Sequence, residues 1–170
     1  YQSMDQTELL TQRREHFGEN VKLSYEQPLT LLRGWKHHLF DEMGRTYLDA
    51  YNNVPHVGHA HPRIQAVAAD QLMRMNSNTR YLHPAQVDFS DQVLATMPDE
   101  LSVCYFVNSG SEANELALRL ARSHSGGRDI VTPDHGYHGN TNAAIAMSAY
   151  KFNKPNGIGQ ADWVQLVDVA

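Results

Sequence analysis

The run from residue 102 to residue 132 constrains the fold more than any other part of the chain. Residues 102–107 form an apolar stretch of strand length, which a tight Asn-Ser-Gly-Ser turn at 108–111 separates from a helical pattern at 112–124. A Ser-Gly-Gly turn then precedes a second strand pattern at 128–132. A strand, a helix and another strand in this order favour a parallel sheet with right-handed crossovers. The sequence therefore predicts an α/β domain with a mainly parallel sheet.

The first half of the chain has a different pattern, of helices and a hairpin. Two short apolar runs around a Gly-containing turn predict a β-hairpin, and Pro62 stands at a favourable first helical position. The expected elements are a helix at 5–17, hairpin strands at 35–40 and 45–49, a loop at 51–62, and helices at 62–75 and 84–97. We therefore divide the chain near residue 60. Residues 1–60 form an N-terminal segment, and residues 61–170 begin a larger domain.

Composition excludes several classes of protein. The 170 residues carry a net charge of −5 and no long basic run, so nucleic acid is not expected as a partner. A single cysteine, Cys104, rules out an internal disulfide framework, fits a reducing compartment and is expected to be a small core residue. No apolar stretch approaches membrane-spanning length and no signal-peptide pattern opens the chain, so we expect a cytoplasmic protein without a membrane partner.

A strand pattern covers the last residues, 164–170. A domain rarely stops directly after a strand, so we expect the chain to be the front part of a longer protein.

The turn between the first strand and the long helix is a candidate anion site. The N–H groups of a first helical turn are unpaired and lie at the positive end of the helix dipole, where phosphate binds well. Gly110 would let the backbone approach a ligand, and Ser109 and Ser111 add hydroxyl groups. The alternative is a plain helix cap, because Ser109 and Glu112 have the spacing of a capping box. Local physics alone favours the cap.

The His-Gly-Tyr-His-Gly loop at residues 135–139 is a second candidate. Ligands of open α/β sheets gather at the carboxyl ends of strands, and this loop follows the second predicted strand. Tyr137, between two glycines, could lay its ring on a planar ligand. The alternative is a surface tyrosine in a turn.

Taken together, these motifs are specific. The Asn-Ser-Gly-Ser-Glu-Ala-Asn-Glu run from residue 108, followed by the Tyr-His-Gly loop, resembles the cofactor-binding half of the class III (ω-type) aminotransferases, which use pyridoxal 5′-phosphate. Tyr-Leu-Asp at 47–49 and Gly-His-Ala-His-Pro at 58–62 fit the same family in the same order, and the likeness runs from about Tyr25 to the end. Within the family, the likeness is greatest to the ethanolamine-phosphate phospho-lyases. It rests on residues 52–54, 56–59, 101–106 and 150–152.

The resemblance implies a fold and a set of roles. The fold would be that of a fold-type I pyridoxal-phosphate-dependent transferase, with an N-terminal segment and an incomplete large domain. Ser109, Gly110 and Ser111 would hold the cofactor phosphate, Tyr137 would stack on the pyridine ring, and His138 would lie beside it. The family's Schiff-base lysine and the aspartate that pairs with the ring nitrogen are expected beyond these residues. None of the chain's four lysines has the family's context, namely Lys22, Lys36, Lys151 and Lys154.

Substrate-side residues are implied in the same way. Arg80 and Tyr81 lie in a segment that reaches toward the substrate pocket in this family, often that of the neighbouring subunit, so a homodimer is expected. Arginine is well suited to a phosphate monoester, although a surface arginine is an equal alternative. Asn52, Asn53 and His56 have the same status. The ten histidines show no converging set that would suit zinc, so no metal site is expected.

Three functions remain open from the sequence. The first is a lyase that eliminates phosphate and ammonia from a small phospho-amine such as O-phosphoethanolamine. The second is an aminotransferase that moves an amino group from an ω-amine to a 2-oxo acid. The third is a non-catalytic domain that keeps the fold. The intact turn at residues 108–111, here called the phosphate turn, and the Tyr-His-Gly loop argue against it.

Overall fold

The computed structural model describes residues 5–51 and 56–169. The chain forms two compact units, one ending at Tyr81 and one beginning at Leu82, and each is described by itself. The domain division near residue 60 stays a prediction, since compactness of the isolated chain does not define the domains of a larger protein.

Helix α1 (Gln6–Phe17) opens the first unit. The Asp5 carboxylate accepts a hydrogen bond from the Thr7 amide at 3.1 Å and caps the helix. Gly18, with a φ of 80°, follows its last residue. The predicted helix at 5–17 is confirmed.

A three-stranded antiparallel sheet follows, in the order β1 (Leu31–Trp35), β2 (His38–Asp41) and β3 (Thr46–Leu48). Strands β2 and β3 form the predicted hairpin, with Leu39 opposite Tyr47. The first predicted strand, at 35–40, is wrong in its bounds. Lys36 has a φ of +52°, which breaks that run and leaves Trp35 at the end of an additional strand.

Asp41 organises the turn of this hairpin. Its carboxylate accepts hydrogen bonds from the backbone amides of Met43 and Arg45, the Arg45 guanidinium at 2.7 Å and the Tyr47 hydroxyl at 3.0 Å. Burial alone would raise the pKa of Asp41, but the hydrogen bonds from Arg45 and Tyr47 outweigh burial, so the pKa is lowered. The charged form of Asp41 therefore stabilises the hairpin, and this stabilisation is lost as the pH falls through the lowered pKa.

The segment before α2 is fastened to the sheet. The Lys36 and His59 backbones exchange hydrogen bonds at 3.0 and 2.7 Å, and the His59 ring lies 2.6 Å from the Asp49 carboxylate. The proposed substrate residues Asn52 and Asn53 lie outside the described residues. Helix α2 (Pro62–Arg74) then begins at a proline in its first turn, which confirms the helix predicted at 62–75.

The second unit holds the remaining helices and a parallel strand pair. Its elements are α3 (Pro84–Leu94), α4 (Gly110–Ser125), β4 (Ile130–Pro133), α5 (Asn142–Met147), α6 (Ala149–Phe152) and β5 (Val164–Val167). Strands β4 and β5 pair in parallel, with Ile130 opposite Val164. Three residues form a small core, Ala149, Phe152 and Val164, on which Ile130 and Trp163 pack. The predicted α/β class, the parallel pairing and the helices are confirmed.

Residues 102–107 form no strand in this structure, so that prediction is wrong for the chain as described. A strand needs a partner for its backbone hydrogen bonds, and no segment within 5–51 or 56–169 pairs with this one. Val103 is 71% exposed, and Phe106 packs on Phe89 with ring centroids 5.1 Å apart. Cys104 is half-buried, not a core residue, and its thiol is free.

Candidate cofactor-binding site

The N-terminus of α4 carries a helix cap that resembles a capping box, with the second bond shifted to the amide of Asn108, one residue before the cap. Ser109 has an extended backbone, and its hydroxyl accepts a hydrogen bond from the Glu112 amide at 3.2 Å. In return, the Glu112 carboxylate accepts from the Asn108 amide at 2.7 Å. The cap that local physics favoured is therefore present.

The cap leaves room for an anion. The amides of Gly110 and Ser111 donate to no partner in the part of the chain that the structure describes. A Cβ atom added to Gly110 would meet no atom within 4 Å, so this side of the first helical turn is open. The Ser109 hydroxyl accepts in the cap and keeps its own hydrogen for donation. This donor set fits a phosphate group.

The loop after β4 is held from several sides at His138. The His138 ring nitrogen Nε2 lies 2.6 Å from the hydroxyl of Thr132, the buried third residue of β4. Its backbone amide donates to the Ser148 hydroxyl at 2.9 Å, and its carbonyl accepts from the Asn114 side chain at 2.7 Å. With one ring nitrogen bonded to Thr132, His138 chiefly fixes the loop that carries Tyr137.

The phosphate turn and the Tyr-His-Gly loop lie side by side. The Ser111 hydroxyl accepts a hydrogen bond from the Asn140 amide at 3.0 Å, across 29 residues of sequence. Gly139 has a φ of +132°, and a Cβ atom there would lie 2.8 Å from the Cα of Ser111. Only glycine allows this approach. The two motifs that were predicted separately thus form one surface.

Tyr137 is 54% exposed on this surface, with its ring accessible. The Tyr150 ring meets it edge-on, with centroids 6.2 Å apart and an interplanar angle of 79°. An exposed ring on the same surface as the open donors of α4 has the geometry to cover a planar, phosphate-bearing ligand.

The proposed substrate residues belong to the first unit. Arg80 is exposed, and both its amide and its Nε donate to the Asn78 side chain at 3.1 Å. Tyr81 is also exposed, and His56 lies in an exposed turn. None of these three shows a contact that assigns it a ligand.

Sequence reasoning missed three residues that support the site, Asn114, Thr132 and Ser148. Asn114 lies three residues after Ser111, on the same face of α4, and this spacing was the one available signal. Thr132 and Ser148 act through contacts that the local sequence does not show.

The described residues contain neither a metal site nor a membrane span. Within residues 5–51 and 56–169, no three His, Cys, Asp or Glu side chains converge as metal ligands would. No helix in the same ranges has the length and apolar character needed to cross a bilayer.

Comparison with known families identifies the class of protein. The class-III aminotransferase family matches residues 24–166, and the chain belongs to this family. The cofactor of the family is pyridoxal 5′-phosphate, and the open donor set at the start of α4 agrees with a phosphate-bearing cofactor.

Curated relatives include both aminotransferases and phospho-lyases. The chain is 43% identical over 97% of its length to an alanine–glyoxylate aminotransferase 2-like protein of Drosophila melanogaster, of which it covers 34%. It is 36% identical over 94% of its length to the ethanolamine-phosphate phospho-lyase homolog 1 of Caenorhabditis elegans, again covering 34%. The chain thus spans about a third of the length of these relatives.

Solved structures show the same fold. A phospholyase from Arthrobacter in complex with phosphoethanolamine superposes with a TM-score of 0.87 at 38% identity, over 95% of this chain and 38% of that one. A transaminase from the marine bacterium Virgibacillus gives a TM-score of 0.80 at 21% identity, over 95% and 40%. The fold is therefore that of the pyridoxal-phosphate-dependent class III enzymes.

Proposed function

We propose that this chain is the cofactor-phosphate-binding part of a phospho-lyase that acts on a small phospho-amine such as O-phosphoethanolamine. In the overall reaction, one water and one O-phosphoethanolamine give acetaldehyde, ammonia and inorganic phosphate. The observation that carries the proposal is the 38% identity and 0.87 TM-score to the phosphoethanolamine-bound phospholyase. The phospho-lyase relative from Caenorhabditis elegans supports it.

Each group of the proposed site has a distinct task. The amides of Gly110 and Ser111 and the Ser109 hydroxyl hold the cofactor phosphate, and the helix dipole favours its charge. Tyr137 covers one face of the ring, and His138 keeps the Tyr137 loop in place through Thr132. When bound, the cofactor supplies an electron sink. The protein supplies orientation.

Replacing Gly110 with leucine tests this site. A Cβ atom at this position would meet no atom within 4 Å, so the apo protein should unfold at nearly the same temperature. The leucine side chain should occlude the open donors, and losing one charge-assisted hydrogen bond of about 1.5–3 kcal/mol would weaken binding roughly 10- to 150-fold. The measurement is a titration of the complete protein with pyridoxal phosphate, followed by visible absorbance.

The matched control is Ala117→Leu, which places the same side chain at an exposed position farther along α4. It should leave cofactor affinity unchanged. Equal affinity in wild type and Gly110→Leu would rule out the α4 N-terminus as the phosphate site.

The lyase proposal is tested by supplying the substrate and omitting any amino acceptor. Complete enzyme incubated with O-phosphoethanolamine, without any 2-oxo acid, should release phosphate and acetaldehyde in equal amounts. We also propose that Arg80 helps to hold the substrate phosphate, and that Tyr81, Asn52, Asn53 and His56 contribute to substrate binding. Loss of such a charge-assisted bond should lower kcat/KM for O-phosphoethanolamine by about one to two orders of magnitude in Arg80→Ala.

Arg74→Ala is the matched control for Arg80. Arg74 is an exposed arginine whose guanidinium pairs with Asp70 on the same helix, and its removal should leave kcat/KM unchanged. If Arg80→Ala releases phosphate as wild type does, the lyase proposal stands and the proposed role of Arg80 is wrong.

The second candidate is an ω-amine:2-oxo acid aminotransferase, which the 43% identity to the alanine–glyoxylate aminotransferase 2-like protein favours. That activity predicts amino transfer to pyruvate or 2-oxoglutarate and no phosphate release. Amino transfer without any phosphate release would support the aminotransferase and contradict the phospho-lyase proposal.

We further propose that the Schiff-base lysine and the ring-nitrogen aspartate lie outside these 170 residues, and that the complete enzyme is a cytoplasmic homodimer with shared sites. The single free thiol, Cys104, fits a reducing compartment. Relatives from Homo sapiens and Arabidopsis thaliana carry mitochondrial names. Cell fractionation and light scattering of the complete protein test these points.

A further inference from the structure

Tyr137 belongs to a small group of rings and ammonium groups, here called the tyrosine–lysine cluster and formed by Tyr137, Tyr150, Lys151 and Lys154. Tyr150 meets the Tyr137 ring in a T-shaped contact at 6.2 Å. The Lys151 ammonium lies 5.4 Å from the Tyr137 ring centroid and 5.7 Å from that of Tyr150. The Lys154 ammonium lies 3.7 Å from the Tyr150 centroid.

The backbone fixes Tyr150 relative to the loop independently of its side chain. The Tyr150 amide donates to the Gly136 carbonyl at 3.2 Å, directly before Tyr137 in sequence. Gly136 is itself confined, because a Cβ atom there would lie 2.6 Å from Nε2 of His138. The start of α6 and the Tyr137 loop therefore form one unit, and a change of the Tyr150 side chain leaves that unit in place.

The Tyr150 side chain has its own support. The Lys154 ammonium lies 3.7 Å from the Tyr150 ring centroid, and the interaction of the hydroxyl with Lys154, followed by the charge of Lys151, lowers the pKa of Tyr150. The ring is thus held between a backbone anchor and an ammonium group, nearly perpendicular to the Tyr137 ring. Edge-to-face pairs of this kind restrict the orientation of both rings.

We propose that Tyr150 is a positioning residue that sets the orientation of the Tyr137 ring, with Lys151 as a second support, so that Tyr137 is ready to stack on the cofactor. The inference rests on the proposed role of Tyr137. Tyr150 touches Tyr137 and acts through it. A ring restricted before binding loses less orientational freedom when it stacks on the ligand.

The test uses the complete protein with Tyr150→Leu, which removes the ring, and Tyr150→Phe, which keeps the ring and removes the hydroxyl. Tyr150→Leu should weaken pyridoxal phosphate binding about 2- to 10-fold, the range for one aromatic pair. It should also reduce the visible circular dichroism of the bound cofactor, which reports ring orientation. Tyr150→Phe should retain near wild-type values for both.

A double-mutant cycle with Tyr137→Leu separates positioning from a general structural role. If Tyr150 acts through Tyr137, Tyr150→Leu has no further effect in the Tyr137→Leu background. Additive losses, or a Tyr150→Leu enzyme that binds and orients the cofactor like wild type, would overturn the inference. Tyr150 is 51% exposed, so the loss of one ring pair in Tyr150→Leu or Tyr137→Leu should lower the apo melting temperature only slightly.

Failure of the parent proposal gives a different result. Unchanged affinity and dichroism in Tyr137→Leu alone would show that Tyr137 does not stack on the cofactor, and the role of Tyr150 would fall with it. If Tyr137→Leu lowered cofactor affinity and dichroism but Tyr150→Leu did not, the stacking role of Tyr137 would stand and only the positioning role of Tyr150 would be rejected.

Discussion

The hydroxyl group of Ser148 joins the loop that carries Tyr137 to helix α5. Ser148 is fully buried, at 0% exposure. Its hydroxyl donates to the Ala144 carbonyl at 2.6 Å and accepts from the His138 amide at 2.9 Å. Because His138 directly follows Tyr137, this bond fixes the backbone that presents the proposed ring clamp.

Ser148→Ala should therefore destabilise the protein and weaken the site together. The His138 amide would lose its acceptor in a partly buried environment, which costs about 1–3 kcal/mol. We expect the free energy of unfolding to fall by that amount, with a parallel loss of pyridoxal phosphate affinity. Urea unfolding and a cofactor titration of the complete protein measure the two effects.

Ser125→Ala is the matched control. The Ser125 hydroxyl also donates to a carbonyl four residues earlier, that of Ala121, and accepts an amide hydrogen, from Gly127, but it is exposed. Surface changes of this kind cost less than about 0.5 kcal/mol. Equal losses at the two serines would contradict the special role of Ser148.

At the scale of elements, the helices could be predicted because their signals are local. Asp5 caps α1, Pro62 opens α2, and Ser109 with Glu112 forms the cap that starts α4. Strands depend on partners that are distant in sequence, and two strand predictions were wrong, one for lack of such a partner and one because of a local turn. Residues 102–107 have strand composition without a pairing segment among the described residues, and the turn at Lys36 moved Trp35 into β1.

The candidate site likewise combines residues that the local sequence predicts with contacts that it does not predict. Gly110 and Tyr137 were predicted from local sequence and family likeness, and their roles stay predictions. The contacts that join their elements, Asn114 with His138 and Ser111 with Asn140, span 24 and 29 residues. Only the folded chain shows them, since side-chain hydrogen bonds between distant segments leave no periodic signal.

Gly139→Ala tests the junction of α4 with the loop. Alanine is strained at a φ of +132°, and its Cβ would contact Ser111 at less than 3 Å, so the loop must move away from α4. The bonds between Asn140 and Ser111 and between Asn114 and His138 should weaken. We expect a loss of about 1–3 kcal/mol in unfolding free energy and weaker cofactor binding.

Gly126→Ala controls for backbone strain alone. Gly126 ends α4 with a φ of +68°, and a Cβ atom there meets nothing within 4 Å. This variant should lose about 1–2 kcal/mol and retain cofactor affinity. If Gly139→Ala keeps full affinity as well, the contact between loop and helix does not shape the site.

At the scale of the whole molecule, the proposed residues are distributed over both units. The cofactor residues, from Ser109 to His138, lie in the unit that begins at Leu82, whereas Arg80 and Tyr81 end the other unit. The chain covers about a third of its curated relatives. Under the proposed function, we expect the lysine for covalent attachment of the cofactor to lie in the part of the protein outside these residues.

The last prediction concerns that lysine. A lysine amine reacts when it is desolvated or otherwise kept uncharged, and Lys22, Lys36 and Lys154 are exposed. Lys151 lies near Tyr137, but its Nζ is engaged by two tyrosine rings, at 5.4 Å from the Tyr137 centroid and 5.7 Å from the Tyr150 centroid. Borohydride reduction of the complete protein with pyridoxal phosphate, followed by peptide mapping, should therefore find one reduced lysine outside these 170 residues. A stoichiometric adduct at Lys151 would instead make it the attachment site, and an adduct at any of the other three would equally overturn the prediction.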